Sequence, residues 1–354
     1  MTLALPFLGL LALSLAWFLL PLLPGLREVL RPTDIAPLKV VDRASGHVAH
    51  FARNFRRYLE QQVAGLPAEA QAGDFFGRLP DGTAFLRVHK QSGAIEREAR
   101  HGLQSQLVVI DTQATLAGNE TFLMELYARS PLIGGPNAVY RAVYAERELT
   151  LGDDSAVLRW AHACGRLTVG NRCTVRGRLS SDESVRLGGS VVVERVGAPV
   201  ISVGEPADLP PDLPSALPLC PLPAGARTVG NFTRVEGDFT VAEGTRIAGH
   251  LVVAGRTRIG MGAIVEGSVK SHGDLVLAAE ARIRGAAVTR AALTIGAAAW
   301  IEGPAIAEAH LDIGRGAVIG SPDSPATASA PVIELAHGAT VYGQISAMGG
   351  ARTQ

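Results

Sequence analysis

The stretch Leu293-Thr294-Ile295-Gly296-Ala297-Ala298-Ala299-Trp300-Ile301-Glu302-Gly303 returns 18 residues later as Leu311-Asp312-Ile313-Gly314-Arg315-Gly316-Ala317-Val318-Ile319-Gly320. Followed backwards, the same 18-residue step lines up one apolar column, Val241, Ile259, Leu277, Ile295 and Ile313. A second column, six residues on, holds Ile247, Val265, Ile283, Ile301 and Ile319. Gly249, Gly267, Gly285 and Gly303 form a third, at corners that need an open backbone. A fixed period of this size marks a solenoid, in which each repeat buries its apolar face only against its neighbours. Apolar residues come in pairs two apart, such as Phe239/Val241, Leu275/Leu277 and Leu311/Ile313, and side chains two apart on a strand share a face. Three short sides per lap predict a mainly β protein built as a triangular parallel β-helix.

The period is present earlier. Leu149, Leu167, Val185 and Val203 are spaced by 18, as are Val157, Val175 and Val193, so a first β-helix block is expected over 148–204. Pro206, Pro210, Pro211, Pro214, Pro218, Pro221 and Pro223 interrupt it, and proline cannot donate to a sheet ladder. Residues 205–227 are therefore expected to be an insertion between the first block and a second at 228–347, with a tail at 348–354. The pattern leaves open whether the two blocks stack into one rod.

The N-terminal part has another texture. No charge occurs from Leu3 to Leu23, and about 20 apolar residues suffice to cross a bilayer. Arg27, Arg31, Lys39 and Arg43 follow that span, favouring a cytoplasmic C-terminal side. The expectation is a single transmembrane anchor at 1–26, on the inner membrane, with the bulk of the chain in the cytoplasm. Residues 27–147 read as a small α/β membrane-proximal domain. Its helix would run from His47 to Val63, with Val48, Phe51, Phe55 and Tyr58 at helical spacing. Arg53, Arg56 and Arg57 on that helix are candidates for contact with anionic lipid; the alternative is a helix packed on its own domain with its arginines in water. Thr83 to His89 and Gln106 to Asp111 read as strands, and Glu120 to Ala128 fits either helix or strand.

Composition excludes several function classes. The 354-residue chain has zero formal net charge, which argues against a nucleic-acid partner. It has 5% aromatic residues and 40 glycines, consistent with narrow coils filled by small and aliphatic side chains. No phosphate-binding glycine loop or other cofactor motif is present, and no set of cysteines and histidines has metal-ligand spacing. Cys164, Cys173 and Cys220 are an odd number and read as buried thiols. Asp153-Asp154 and Asp182-Glu183 read as solvated turns. No catalytic residue is assigned.

Two resemblances bear on function. Ile259-Gly260-Met261-Gly262-Ala263-Ile264 and its counterparts at Ile295 and Ile313 resemble the hexapeptides of left-handed β-helix acyltransferases. Such enzymes use a histidine base, for which His250, His272, His310 and His337 are the candidates, but these occupy unequal positions in the laps. An acyltransferase acting on an envelope precursor is thus the alternative expectation. The coil phrases at Leu293 to Gly303 and Leu311 to Gly320 resemble those of the bactofilins, the polymer-forming cytoskeletal proteins, over roughly Val229 to Ser346. That resemblance implies a right-handed coil and a non-enzymatic scaffold that polymerises end to end without nucleotide or cofactor. It further implies work at the inner membrane with cell-envelope or cell-shape proteins. A β-helix ends in bare strand edges, and the tail after Ser346 makes a poor cap. Val341, Tyr342 and Ile345 are therefore the expected self-assembly end, where a second copy would continue the ladder at about 4.8 Å per coil.

Overall fold

The computed structural model describes residues 48–66, 73–89, 102–209 and 217–354, together with 10, 13–15, 17, 19 and 20. The chain divides into two compact units, Met1–Gly46 and His47–Gln354. The expected anchor, Leu3 to Leu23, falls largely outside the described residues, and among these no helix is long and apolar enough to cross a membrane.

The second unit is a mainly β solenoid of about 14 turns with few helices. A lap is made of three short strands, as in Leu275–Leu277, Arg282–Ile283 and Ala287–Thr289, after which Ala292–Ile295 begins the next lap above Leu275–Leu277. Pairing between laps is parallel, so Phe239 lies beside Thr257, Thr257 beside Leu275, and Leu275 beside Leu293. Both apolar columns point inward: Val241, Ile259, Leu277, Ile295 and Ile313 are buried, as are Ile247, Val265, Ile283, Ile301 and Ile319. Alternation of inward apolar and outward polar residues along each strand supplies the core of a solenoid only one lap wide.

The glycine column has a different cause from the one expected. Only Gly249 has a left-handed backbone, with φ of +78°. At Gly267, Gly285 and Gly303 the reason is close approach between laps. A Cβ on Gly267 would lie 2.6 Å from the carbonyl carbon of Gly249, and one on Gly303 would lie 2.8 Å from that of Gly285.

Within 27–147, where a small α/β domain is expected, the described strands from Ala84 onward continue the solenoid's own ladder. Ala84–Val88 pairs in parallel with Leu107–Ile110, which pairs with Thr121–Ala128, then Val139–Ala145, then Ala156–Ala163. The solenoid's first arm therefore starts near Phe85 and runs without a boundary through position 148 to Val203. Glu120 to Ala128, ambiguous in sequence, is mostly strand. A hairpin between Phe75–Arg78 and Ala84–Val88 covers the edge of the first lap. Helix α1, His50–Ala64, lies against the outside of this arm. Its Ala52 and Leu59 are buried in a cluster with Leu107, Val109, Tyr127, Tyr144 and Trp160, and Phe55 packs at its margin. The Phe55 ring lies 5.4 Å from Trp160 and 6.3 Å from Tyr127, contacts worth about 0.5–1.5 kcal/mol each beyond simple burial.

The two arms meet in a way the periodicity did not disclose. Val192–Val203, the last strand of the first arm, pairs antiparallel with Thr340–Thr353, the last strand of the second. Val192 lies opposite Arg352, Val196 opposite Ile345 and Ile201 opposite Val341. One continuous ladder thus runs up the first arm, crosses the junction, and runs down the second. The proline-rich segment between the arms also takes part in pairing. Cys220 N–H donates to Arg246 O at 2.8 Å, and Arg246 N–H donates to Pro218 O at 2.8 Å, placing Leu219 along the edge of the second arm's opening lap.

Candidate assembly surfaces

Strand edges and exposed apolar side chains are the features that a solenoid can offer to a partner, and the expected edge is occupied. Val341 has Ile319 beside it in its own arm and Ile201 on the other side, and it is wholly buried. Ile345 lies between Ala328 and Val196 and is buried; Tyr342 is buried, which pushes its phenol pKa up. The bare edge assigned to these residues is satisfied within the chain. Thr353 and Thr340 complete the seal. Val191 N–H donates to Thr353 Oγ1 at 2.8 Å, Thr353 Oγ1 donates to Gly188 O at 2.7 Å, and Ala207 N–H donates to Thr340 Oγ1 at 2.8 Å. Two edges that would each leave backbone groups unpaired cancel one another.

Another edge stays open. Phe239–Val241 pairs with Thr257–Ile259 on one side, and no described strand lies on its other side. Beside it, the hairpin Arg227–Val229/Phe232–Val235 and the returning proline segment expose Leu219 (61%), Leu222 (42%), Val229 (76%) and Phe232 (56%). Phe232 stacks on His250 at 4.7 Å. A single exposed leucine is ordinary; four large apolar side chains exposed on the segments of one opening lap are surface that a partner could cover. Part of its sequence signal is Leu219 and Leu222, interleaved with Pro218, Pro221 and Pro223 in the expected insertion.

The three arginines on α1 are disposed unequally. Arg53 binds Asp182 at 3.1 Å, and Arg56 binds Glu60 at 2.8 Å and approaches Glu146 at 3.8 Å, while Arg57 is exposed. The bond to Glu60 is the chief cause raising the Arg56 pKa. Ala52, Leu59 and Phe55 of α1 pack on the first arm. Phe51, half exposed, sits under the Arg178 guanidinium at 4.5 Å.

Two side-chain clusters carry chemistry. At the first, the 18-residue step stacks Cys164 under Asp182 and His162 under Ser180. His162 Nδ1 lies 2.8 Å from Ser180 Oγ, and its Nε2 lies 4.0 Å from Cys164 Sγ and 3.8 Å from Asp182 Oδ2. Tyr144 OH lies 3.2 Å from Cys164 Sγ, and the Tyr144 ring leans on the His162 ring at 5.1 Å. Burial raises the pKa of the Cys164 thiol, so it is a poor nucleophile at neutral pH. At the second cluster, His310 Nε2 lies 2.7 Å from Asp312 Oδ1, with Glu334 beside them. Of the other histidines considered as bases, His250 Nδ1 accepts from Ser268 N–H at 3.0 Å, and His337 abuts Gly204 at the junction. The histidines are not brought to one cleft.

In comparisons with known proteins, no family model, no curated protein and no solved structure matches this chain.

Proposed function

We propose that the protein is a membrane-anchored, non-enzymatic β-helical scaffold of bactofilin type. It polymerises end to end and organises cell-envelope or cell-shape machinery at the inner face of the cytoplasmic membrane. Its coil is right-handed in this proposal, and neither nucleotide nor cofactor takes part. The observation that supports it most is the opening lap of the second arm, where Phe239–Val241 has a free edge and Leu219, Leu222, Val229 and Phe232 are exposed on the neighbouring segments. A bare strand edge favours pairing with a strand of another copy. Joined to a different surface of that copy, the contact does not close and grows into a filament, whereas edge on like edge would stop at a dimer. The assembling end is thereby moved from the last lap, which is consumed inside the chain, to the opening lap of the second arm.

The test is electron microscopy and sedimentation of the purified full-length chain without nucleotide. Filaments or long oligomers are expected. Phe232→Asp combined with Val229→Asp should leave the circular dichroism unchanged, because both side chains are mostly in water, and should abolish assembly. A wild-type chain that stays monomeric at high concentration removes polymerisation from the proposal. Assembly undiminished in the double variant shifts the interface elsewhere.

A further inference from the structure

We propose that His162, Cys164 and Asp182 form a binding site for one divalent transition-metal ion, Zn²⁺ by the chemistry of its donors. The three groups come from two adjacent laps of the first arm. His162 and Cys164 lie two apart in one lap, and Asp182 occupies the position of Cys164 in the next. Their donor atoms all lie within 4.8 Å of one another. A tetrahedral ion with bonds of about 2.0–2.3 Å sets neighbouring donors about 3.4–3.6 Å apart. The observed separations of 4.0 and 3.8 Å therefore need to close by roughly half an ångström, which side-chain rotation supplies. A mixed nitrogen, sulfur and oxygen set suits borderline ions such as Zn²⁺ and excludes the all-oxygen chemistry of Mg²⁺ and Ca²⁺.

The surroundings are those of a built site. His162 is only 1% exposed, held by the Tyr144 ring on one face. Its Nδ1 meets Ser180 Oγ, a partnership that orients the ring with Nε2 toward Cys164 and Asp182, and the hydroxyl can accept from Nδ1–H when Nε2 binds an ion. Arg53 holds Asp182 by Oδ1, leaving Oδ2 on the side of the imidazole. A groove of about 310 Å³ lined by Tyr144, Asp182, Glu60 and the α1 arginines opens on the Asp182 side of the cluster, the side from which solvent would reach a bound ion. On binding, the Cys164 S–H bond breaks, the sulfur binds the ion as thiolate, and the proton passes to solvent. One set of three donors holds one ion.

The test uses Co²⁺ as a spectroscopic stand-in for Zn²⁺, titrated into the metal-free full-length protein. A thiolate-to-cobalt charge-transfer band saturating at one ion per chain is expected, and Zn²⁺ should displace it. Cys164→Ser, nearly isosteric, should abolish the band although Cys173 and Cys220 remain. Ser180→Ala should weaken binding about 10–100-fold, as loss of a partner that orients a ligand does, and Asp182→Asn, at an exposed position, should weaken it at least as much. The His310, Asp312 and Glu334 cluster has no sulfur and cannot give the band. Absence of the band in the wild type, its survival in Cys164→Ser, or unchanged affinity in Asp182→Asn overturns the site.

Discussion

Replacing Val341 by aspartate is the sharpest challenge to the joined-arm structure. Val341 is wholly buried between Ile319 of its own arm and Ile201 of the other. Losing its apolar contact removes about 1.5–3 kcal/mol, and lodging a carboxyl there without a partner costs a further ~2 kcal/mol or more. The sum, about 3.5–5 kcal/mol, is a large part of the roughly 5–15 kcal/mol that holds a domain folded. Val341→Asp should therefore move the urea midpoint sharply down in the full-length chain. Trp160 sits in the first arm and Trp300 in the second, so single-tryptophan versions report each arm separately, and both should respond. Val341→Ala should fall between wild type and aspartate, at about 2 kcal/mol. Val229→Asp, at a mostly exposed position, is the matched control and should stay within about 0.5 kcal/mol. The reasoning fails if Val341→Asp keeps the wild-type midpoint and changes only the oligomer size, because that is the behaviour of an open edge.

Three further outcomes are expected. Gly267→Ala should cost about 1–3 kcal/mol by thermal unfolding, since its new methyl meets the Gly249 backbone at 2.6 Å with no side chain to give way. All five tyrosines, at 58, 127, 140, 144 and 342, have pKa values raised chiefly by burial. Their folded values exceed the unfolded value near 10, so their contribution to stability is complete below about pH 10 and is lost as pH rises above it. An ultraviolet titration should accordingly show no tyrosine ionising as a free phenol before alkaline unfolding. If the proposed topology holds, protease added to intact spheroplasts should leave the solenoid uncut; digestion from outside would reverse it.

The second arm was legible because its period is strict. From Val241 to Ile313 one inward column returns every 18 residues and is aliphatic throughout, so it announces itself. The opening laps of the first arm hide theirs. Phe85 pairs with Leu107, 22 residues on, and Leu126 pairs with Val143, only 17 on, across a register shift after Phe122. Large inward side chains such as Phe122 and Tyr140, stacked at 5.3 Å, further blur the apolar signature. The junction left no periodic trace, since antiparallel pairing of two distant strands has no fixed spacing. That is why Val341, Tyr342 and Ile345 were placed on a free edge. The histidine, cysteine and aspartate cluster could have been found by adding 18 to 164, but only once the register of the first arm was trusted as three-dimensional neighbourhood.

The antiparallel junction also constrains how the chain reaches its native state. Val191 and Thr353, hydrogen-bonded across it, are 162 residues apart in sequence. Synthesis at about 5–20 residues per second completes the first arm roughly 7–30 s before its partner strand emerges. Through that interval the edge of Val192–Val203 stands bare, and an unpaired edge invites pairing with any other strand, including one from a neighbouring nascent chain. Closing so long a loop is also slow compared with adding one more lap. Successful folding is therefore a race between the late arrival of Thr340–Thr353 and intermolecular capture, and the yield of native protein should fall as the density of translating chains rises.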